Sequence, residues 1–195
     1  MNLFKRMFSA ENFKGQQNYI DTQKKYEILK TVLMFAISAS LFIAGYITTG
    51  TRKNLLSIVA ILGCLPACKS AVNMIMFLRF RSTPSDIAAK IQGSVGNLYE
   101  LYDNVFTTYE KTYVVYHLVF RQNNLCGLAK EGTDIANLTT HIDEKLKVGG
   151  HKGITVKLFD KEDKYIERLK SLNELEPDTD NRPEEVLNTV KAICL

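Results

Sequence analysis

From Thr31 to Thr49 the chain carries no charged residue, and from Leu55 to Leu78 it carries one, Lys69. A bilayer's hydrocarbon core, about 30 Å thick, is crossed by roughly 20 helical residues, so each run is long enough to span it. Between them Thr51-Arg52-Lys53-Asn54 leaves room only for a turn. The pattern predicts a helical hairpin in lipid, with spans at about 31–49 and 55–78, followed by a separate polar domain.

Small residues recur every four positions in both spans: Ala36, Ser40 and Ala44 in the first, Gly63, Ala67 and Ala71 in the second. Such stripes let helix backbones approach where lipid supplies no hydrophobic drive, so they are the expected packing faces of the hairpin. Pro66 removes a backbone donor and should bend the second helix. Upstream, Leu3, Phe4, Met7 and Phe8 have the spacing of a short interfacial helix, although a frayed terminus fits them equally well. Gly15-Gln16-Gln17-Asn18 breaks that pattern before Tyr19 to Lys30 leads into the first span.

Beyond Arg81 the periodicity changes. Ser85 is placed to cap a helix carrying Ile87, Ala88, Ile91, Val95, Leu98 and Tyr102, with Gly93 and Gly96 interrupting it. Strands are expected at Asn104–Tyr109, Thr112–Phe120 and Leu125–Lys130, joined by turns at Glu110-Lys111 and Arg121 to Asn124. Thr133 should cap a helix with Ile135, Leu138, Ile142 and Leu146 inward, stopped by Gly149-Gly150. Ile154, Val156 and Leu158 alternate as a half-buried strand. Asp160 should open another helix, with Ile166, Leu169 and Leu172 facing inward. An acidic, proline-flanked linker from Glu176 to Pro183 precedes a last helix, Glu184 to Ile193. The expected fold class is α/β (α+β): a transmembrane hairpin, then an α-β-β-β-α-β-α-α domain. The segments are an N-terminal piece (1–29), the hairpin (30–80) and the α/β domain (81–195).

Charge sets orientation. Met1 to Lys30 holds six basic residues against three acidic ones, whereas Arg79 to Leu195 holds 16 against 18. Lys24, Lys25 and Lys30 before the hairpin, and Arg79 and Arg81 after it, outweigh Arg52 and Lys53 in its turn. The positive-inside bias then predicts a multi-pass cell-membrane protein with both termini cytoplasmic. A cleaved signal peptide fits poorly, because about 30 polar residues precede an overlong apolar run. The tail has no basic excess of the kind that attracts nucleic acid, so none is expected as a partner. Cys64, Cys68, Cys126 and Cys194 suggest no disulfide framework.

Little in the chain assembles into chemistry. Lys69 lies toward the inner end of its span, where snorkelling competes with a functional intramembrane role. His117, His141 and His151 lack metal-ligand spacing, and Gly149 to Gly153 lacks a phosphate-loop frame. Neither metal nor cofactor is expected.

The order α-β-β-β-α-β resembles the core of restriction-endonuclease-like nucleases. That resemblance implies an Asp/Glu-x-Lys pair holding a divalent ion, but Leu128 stands where the acid should precede Lys130. The copy would therefore be degenerate, with Asp103, His117 and Lys130 the only variant catalytic set on offer. The stretch Asn54 to Met76, together with segments 106–111, 156–159 and 165–169, is also similar to uncharacterised small bacterial two-span membrane proteins, which implies the layout and no chemistry. The expectation is a non-enzymatic interaction or regulatory module on the bilayer, binding another protein, with homo-oligomerisation through the hairpin open. A membrane-tethered nuclease-like or other hydrolase is the alternative, and an accessory subunit of a transporter or channel the third.

Overall fold

The computed structural model describes residues 13–51, 54–178 and 180–195. The interfacial pattern at Leu3, Phe4, Met7 and Phe8, and the turn residues Arg52 and Lys53, lie outside the described residues. The chain forms two compact units, one containing residues 20–81 and the other containing 13–19 together with 82–195.

In the first unit, α1 (Tyr19–Thr49) and α2 (Leu55–Leu78) are joined by a short turn. Both are long and apolar enough to cross a membrane, and only 17% and 22% of their apolar windows are buried. A core helix of a soluble domain would hide most of that surface, and these two leave most of it exposed. Asn54 closes the turn: its Oδ1 accepts from Ser57 N at 2.7 Å, capping α2, while its Nδ2 donates to Gly45 O at 2.8 Å. Helix α2 runs unbroken through Pro66.

The face that α1 buries differs from the expected one. Ala36, Ser40 and Ala44 are exposed; Thr31, Ser38 and Gly45, seven residues apart, are buried along with Glu27. A strict four-residue repeat drifts about 40° per step around a helix of 3.6 residues per turn, whereas a seven-residue repeat nearly holds one face. On α2 the small residues fare better, with Ala67 buried and Gly63 and Ala71 half-buried beside Ser57, Ala60 and Ser70. A Cβ at Gly63 would stand 2.9 Å from Ser38 Oγ, which is why a glycine sits there. Glu27, which the sequence did not single out, accepts from Gln23 Nε2 at 2.9 Å.

The second unit is a three-layer sandwich. Helix α3 (Ser85–Val95) leads to β1 (Tyr99–Thr107), β2 (Thr112–Arg121) and β3 (Asn124–Ala129). Then come α4 (Ile135–Val148), β4 (Thr155–Phe159), α5 (Glu162–Asn173) and α6 (Arg182–Ile193). The sheet order is β1-β2-β3-β4, antiparallel across the first two pairs and parallel across the last. This is the expected α-β-β-β-α-β-α-α order. One sheet face packs Leu118, Phe120 and Leu125 against Leu138, Ile142 and Leu146 of α4 and Val186 and Val190 of α6. The other packs Tyr102, Val119 and Leu128 against Ile91 of α3 and Tyr165, Leu169 and Leu172 of α5.

Several expected boundaries move. Gly96, at φ +58°, ends α3 at Val95, so Leu98 and Tyr102 leave the helix and Tyr102 enters β1. Ser85 is the first residue of α3, after Pro84 at the cap position. Asp134 rather than Thr133 caps α4, accepting from Asn137 N at 3.1 Å. On α5, Tyr165 is buried where Ile166 was expected, and Ile166 is half-buried. Gln122 and Asn123 form the two-residue turn between β2 and β3, both at positive φ. Asp178 of the acidic linker accepts from Gln122 N.

Residues 13–15 belong to this unit as a strap on β1. Gly15 O accepts from Tyr102 N at 2.8 Å, and Lys14 Nζ donates to Cys194 O at 3.0 Å beyond the end of α6. Further along the same rim, Leu195 N donates to Val105 O at 3.0 Å. Much of the outer edge of β1 is thereby covered, which protects it from pairing with another chain.

Candidate functional site

A local irregularity in the sheet aims the most polar buried group. Between Val115 and His117 the register of β2 against β3 shifts by one residue at Tyr116. Opposite, Asp103 of β1 adopts φ +55°, which aspartate tolerates better than most residues. Tyr116 and His117 consequently both lie on the α3/α5 side, while Val115 and Leu118 lie on the other. The bulge is pinned by Thr83, whose Oγ1 is 2.8 Å from Asp103 Oδ1 and 2.9 Å from Tyr116 O. Thr83 N donates to the same carboxylate oxygen at 2.8 Å.

His117 is wholly buried and has a partner on each ring nitrogen. Nδ1 is 2.7 Å from Tyr165 Oη, and Nε2 is 3.0 Å from Glu100 Oε2. Burial drives the Tyr165 phenol well above its ordinary range, so it stays protonated and serves as the donor. That assigns Nδ1 as acceptor and Nε2–H as donor to the Glu100 carboxylate. Burial also pushes the His117 imidazole below 6.5, against an opposing pull from Glu100. Neutral His117 is thus the form this pocket satisfies. The Tyr102 ring packs 4.3 Å from the imidazole between centroids, and its own phenol is raised by burial and by Glu100. Cys126, on β3, is raised by burial although Arg168 of α5 opposes the shift.

Chemically this is an acid–imidazole–phenol chain in the order a proton relay needs. Its inner end is closed, since Tyr165 is 0% exposed and only Glu100 reaches solvent. A nucleophile or general acid must touch its substrate, and Tyr165 has no exposed surface with which to do so. A cleft of about 320 Å³ lies between the start of β1 and α6, lined by Tyr99, Glu100, Leu101, Glu184, Leu187 and Lys191 among others.

The three residues weighed for a hydrolase are not brought together. Asp103 is engaged with Thr83, His117 with Glu100 and Tyr165, and the Lys130 side chain is exposed just past β3. Leu128 is buried in the apolar layer. No group of three or more His, Cys, Asp or Glu side chains able to hold a metal occurs among the described residues. Lys69 is exposed on α2, off the face formed by Ala67 and Ser70. Sequence reading missed Glu100 and Tyr165, because nothing in a linear pattern reveals a partner 17 or 48 residues away across a sheet.

Fold and site define a class: a three-layer α/β unit with a closed buried polar chain, preceded by two long apolar helices. No family model, curated protein or solved structure matches the chain.

Proposed function

We propose that the chain is a membrane-anchored interaction module: the hairpin crosses the bilayer, both of its flanks lie on the cytoplasmic side, and the α/β unit engages another protein. The observation that carries this reading is the strap. Residues before α1 and residues after α2 contribute to one folded unit, through Gly15 on Tyr102 and Lys14 on Cys194. A unit assembled from both flanks needs them on one side of the membrane, which an even number of crossings provides. The cleft beside α6, with Glu184 and Lys191 at its walls, offers a polar surface for the partner. The closed state of the His117 chain supports a binding role over a hydrolytic one.

The test is site-specific photo-crosslinking in native membranes, with the probe at Asn188 on the cleft wall. A discrete adduct to a second protein, lost on Glu184→Arg, is expected. Crosslinks only to lipid, or an adduct indifferent to that charge reversal, would remove the cleft as the partner surface. Full release of the chain by alkaline carbonate would remove the anchor.

A further inference from the structure

We propose that the Glu100–His117–Tyr165 chain is a proton-gated clasp, holding α5 on the sheet near neutral pH and loosening it under mild acid. The direction of the hydrogen bonds makes it so. Near neutral pH the Tyr165 hydroxyl donates a hydrogen bond to His117 Nδ1 across 2.7 Å, and Nε2–H donates one to Glu100 across 3.0 Å. Every polar atom in the chain is satisfied, and α5 is tied through β2 to β1.

Protonating the imidazole turns Nδ1 from an acceptor into a donor. The contact with Glu100 survives and gains charge. The contact with Tyr165 must reverse: Nδ1–H can only donate to the phenol oxygen, and the phenol O–H has to turn away from the ring. The phenol proton then needs a new acceptor within a side chain that has no exposed surface, in the apolar layer that also holds Leu169 and Leu172. An orphaned buried donor costs far more than a satisfied one contributes, so the strain falls on the α5 side. Acid therefore weakens one joint and strengthens the other.

The surrounding groups supply only weak acceptors, Cys126 and Tyr102 among them. From β1, Glu100 and Tyr102 face the imidazole, and Tyr102 is turned toward Glu100. From β3 comes Cys126, a weak acceptor engaged by Arg168 of α5. Lys157 of β4 stands over Phe159. Tyr116 feels Glu131 and Glu162, and Glu162 is paired with Lys90 of α3 at 2.9 Å. Burial lowers the proton affinity of His117, which places the transition on the acid side of 6.5.

Hydrogen–deuterium exchange of the full-length protein in lipid nanodiscs tests the clasp, with rates corrected for intrinsic pH dependence. Between about pH 7.5 and about pH 5 the amides of Glu162–Asn173 should lose protection roughly tenfold, relative to those of Ile135–Val148. His117→Gln retains an acceptor and a donor but cannot titrate, so its α5 should stay protected at the lower pH. Tyr165→Phe has no phenol proton to strand, so its α5 should be looser near neutrality and respond weakly to acid. Wild-type α5 protection that does not change with pH, or an acid response undiminished in His117→Gln, overturns the proposal. Should His117→Gln fail to fold, an undiminished response in Tyr165→Phe overturns it equally.

Discussion

His117 shows how one side chain can couple stability to pH. Its folded-state proton affinity is depressed by burial relative to 6.5, so the unfolded chain binds more protons in the interval just below that value. Stability of the α/β unit should then be fully present above about pH 6.5 and decline as pH falls toward the folded-state midpoint. Chemical denaturation as a function of pH should show that slope in wild type and a flatter one in His117→Gln. Gly15 is the second residue of consequence. At φ +86°, with Leu101 and Lys191 where a Cβ would stand, it accommodates no side chain. Gly15→Val should cost roughly 1–3 kcal/mol, read as a lowered unfolding midpoint. That His117 lies in a strand was legible from the run of strand formers around it. Its partners were not, because they depend on a bulge at Tyr116 that leaves no mark in the alternation of side chains.

The elements of the sandwich were largely legible, since each carries its own period. The inward Leu138, Ile142 and Leu146 of α4 and the aromatic and β-branched run of β2 needed no tertiary information. Boundaries failed where a backbone conformation decided them, as at Gly96, or where side chains competed for one cap, as Thr133 and Asp134 did. The hairpin gives the opposite lesson. Its existence was plain from hydropathy, yet the buried face of α1 is Thr31, Ser38 and Gly45 rather than Ala36, Ser40 and Ala44. Small residues occur on several faces of α1, and only the partner helix selects among them. The distinction is measurable. Ser38→Leu or Gly63→Leu should weaken helix–helix packing by roughly 1–3 kcal/mol in a detergent titration, whereas Ala36→Leu should leave it within experimental error.

At the scale of the molecule, the strap determines what topology the fold can tolerate. In a background lacking the native cysteines, a thiol placed at the exposed Gln17 and one at Lys130 should react with an impermeant maleimide from the same side of sealed vesicles. A thiol at Thr51 should react only from the other. Labelling of Gln17 and Lys130 from opposite faces would require a unit that never assembles from both flanks. No spacing rule could have revealed this, because Gly15-Gln16-Gln17-Asn18 reads as a mere interruption before the first span. Only the pairing of Gly15 with Tyr102 gives it a role.

The same strap imposes an order on biosynthesis. Lys14 and Cys194 are 180 residues apart, so at ordinary ribosomal speeds the one waits on the order of ten seconds for the other. During that wait a hydrophobic hairpin has already left the exit tunnel. The nascent sheet meanwhile presents the rim of β1 without its final covering. A cell making this protein must shield that rim until synthesis catches up, and haste in translation matters more here than for a domain whose first strand is sealed by its immediate neighbours.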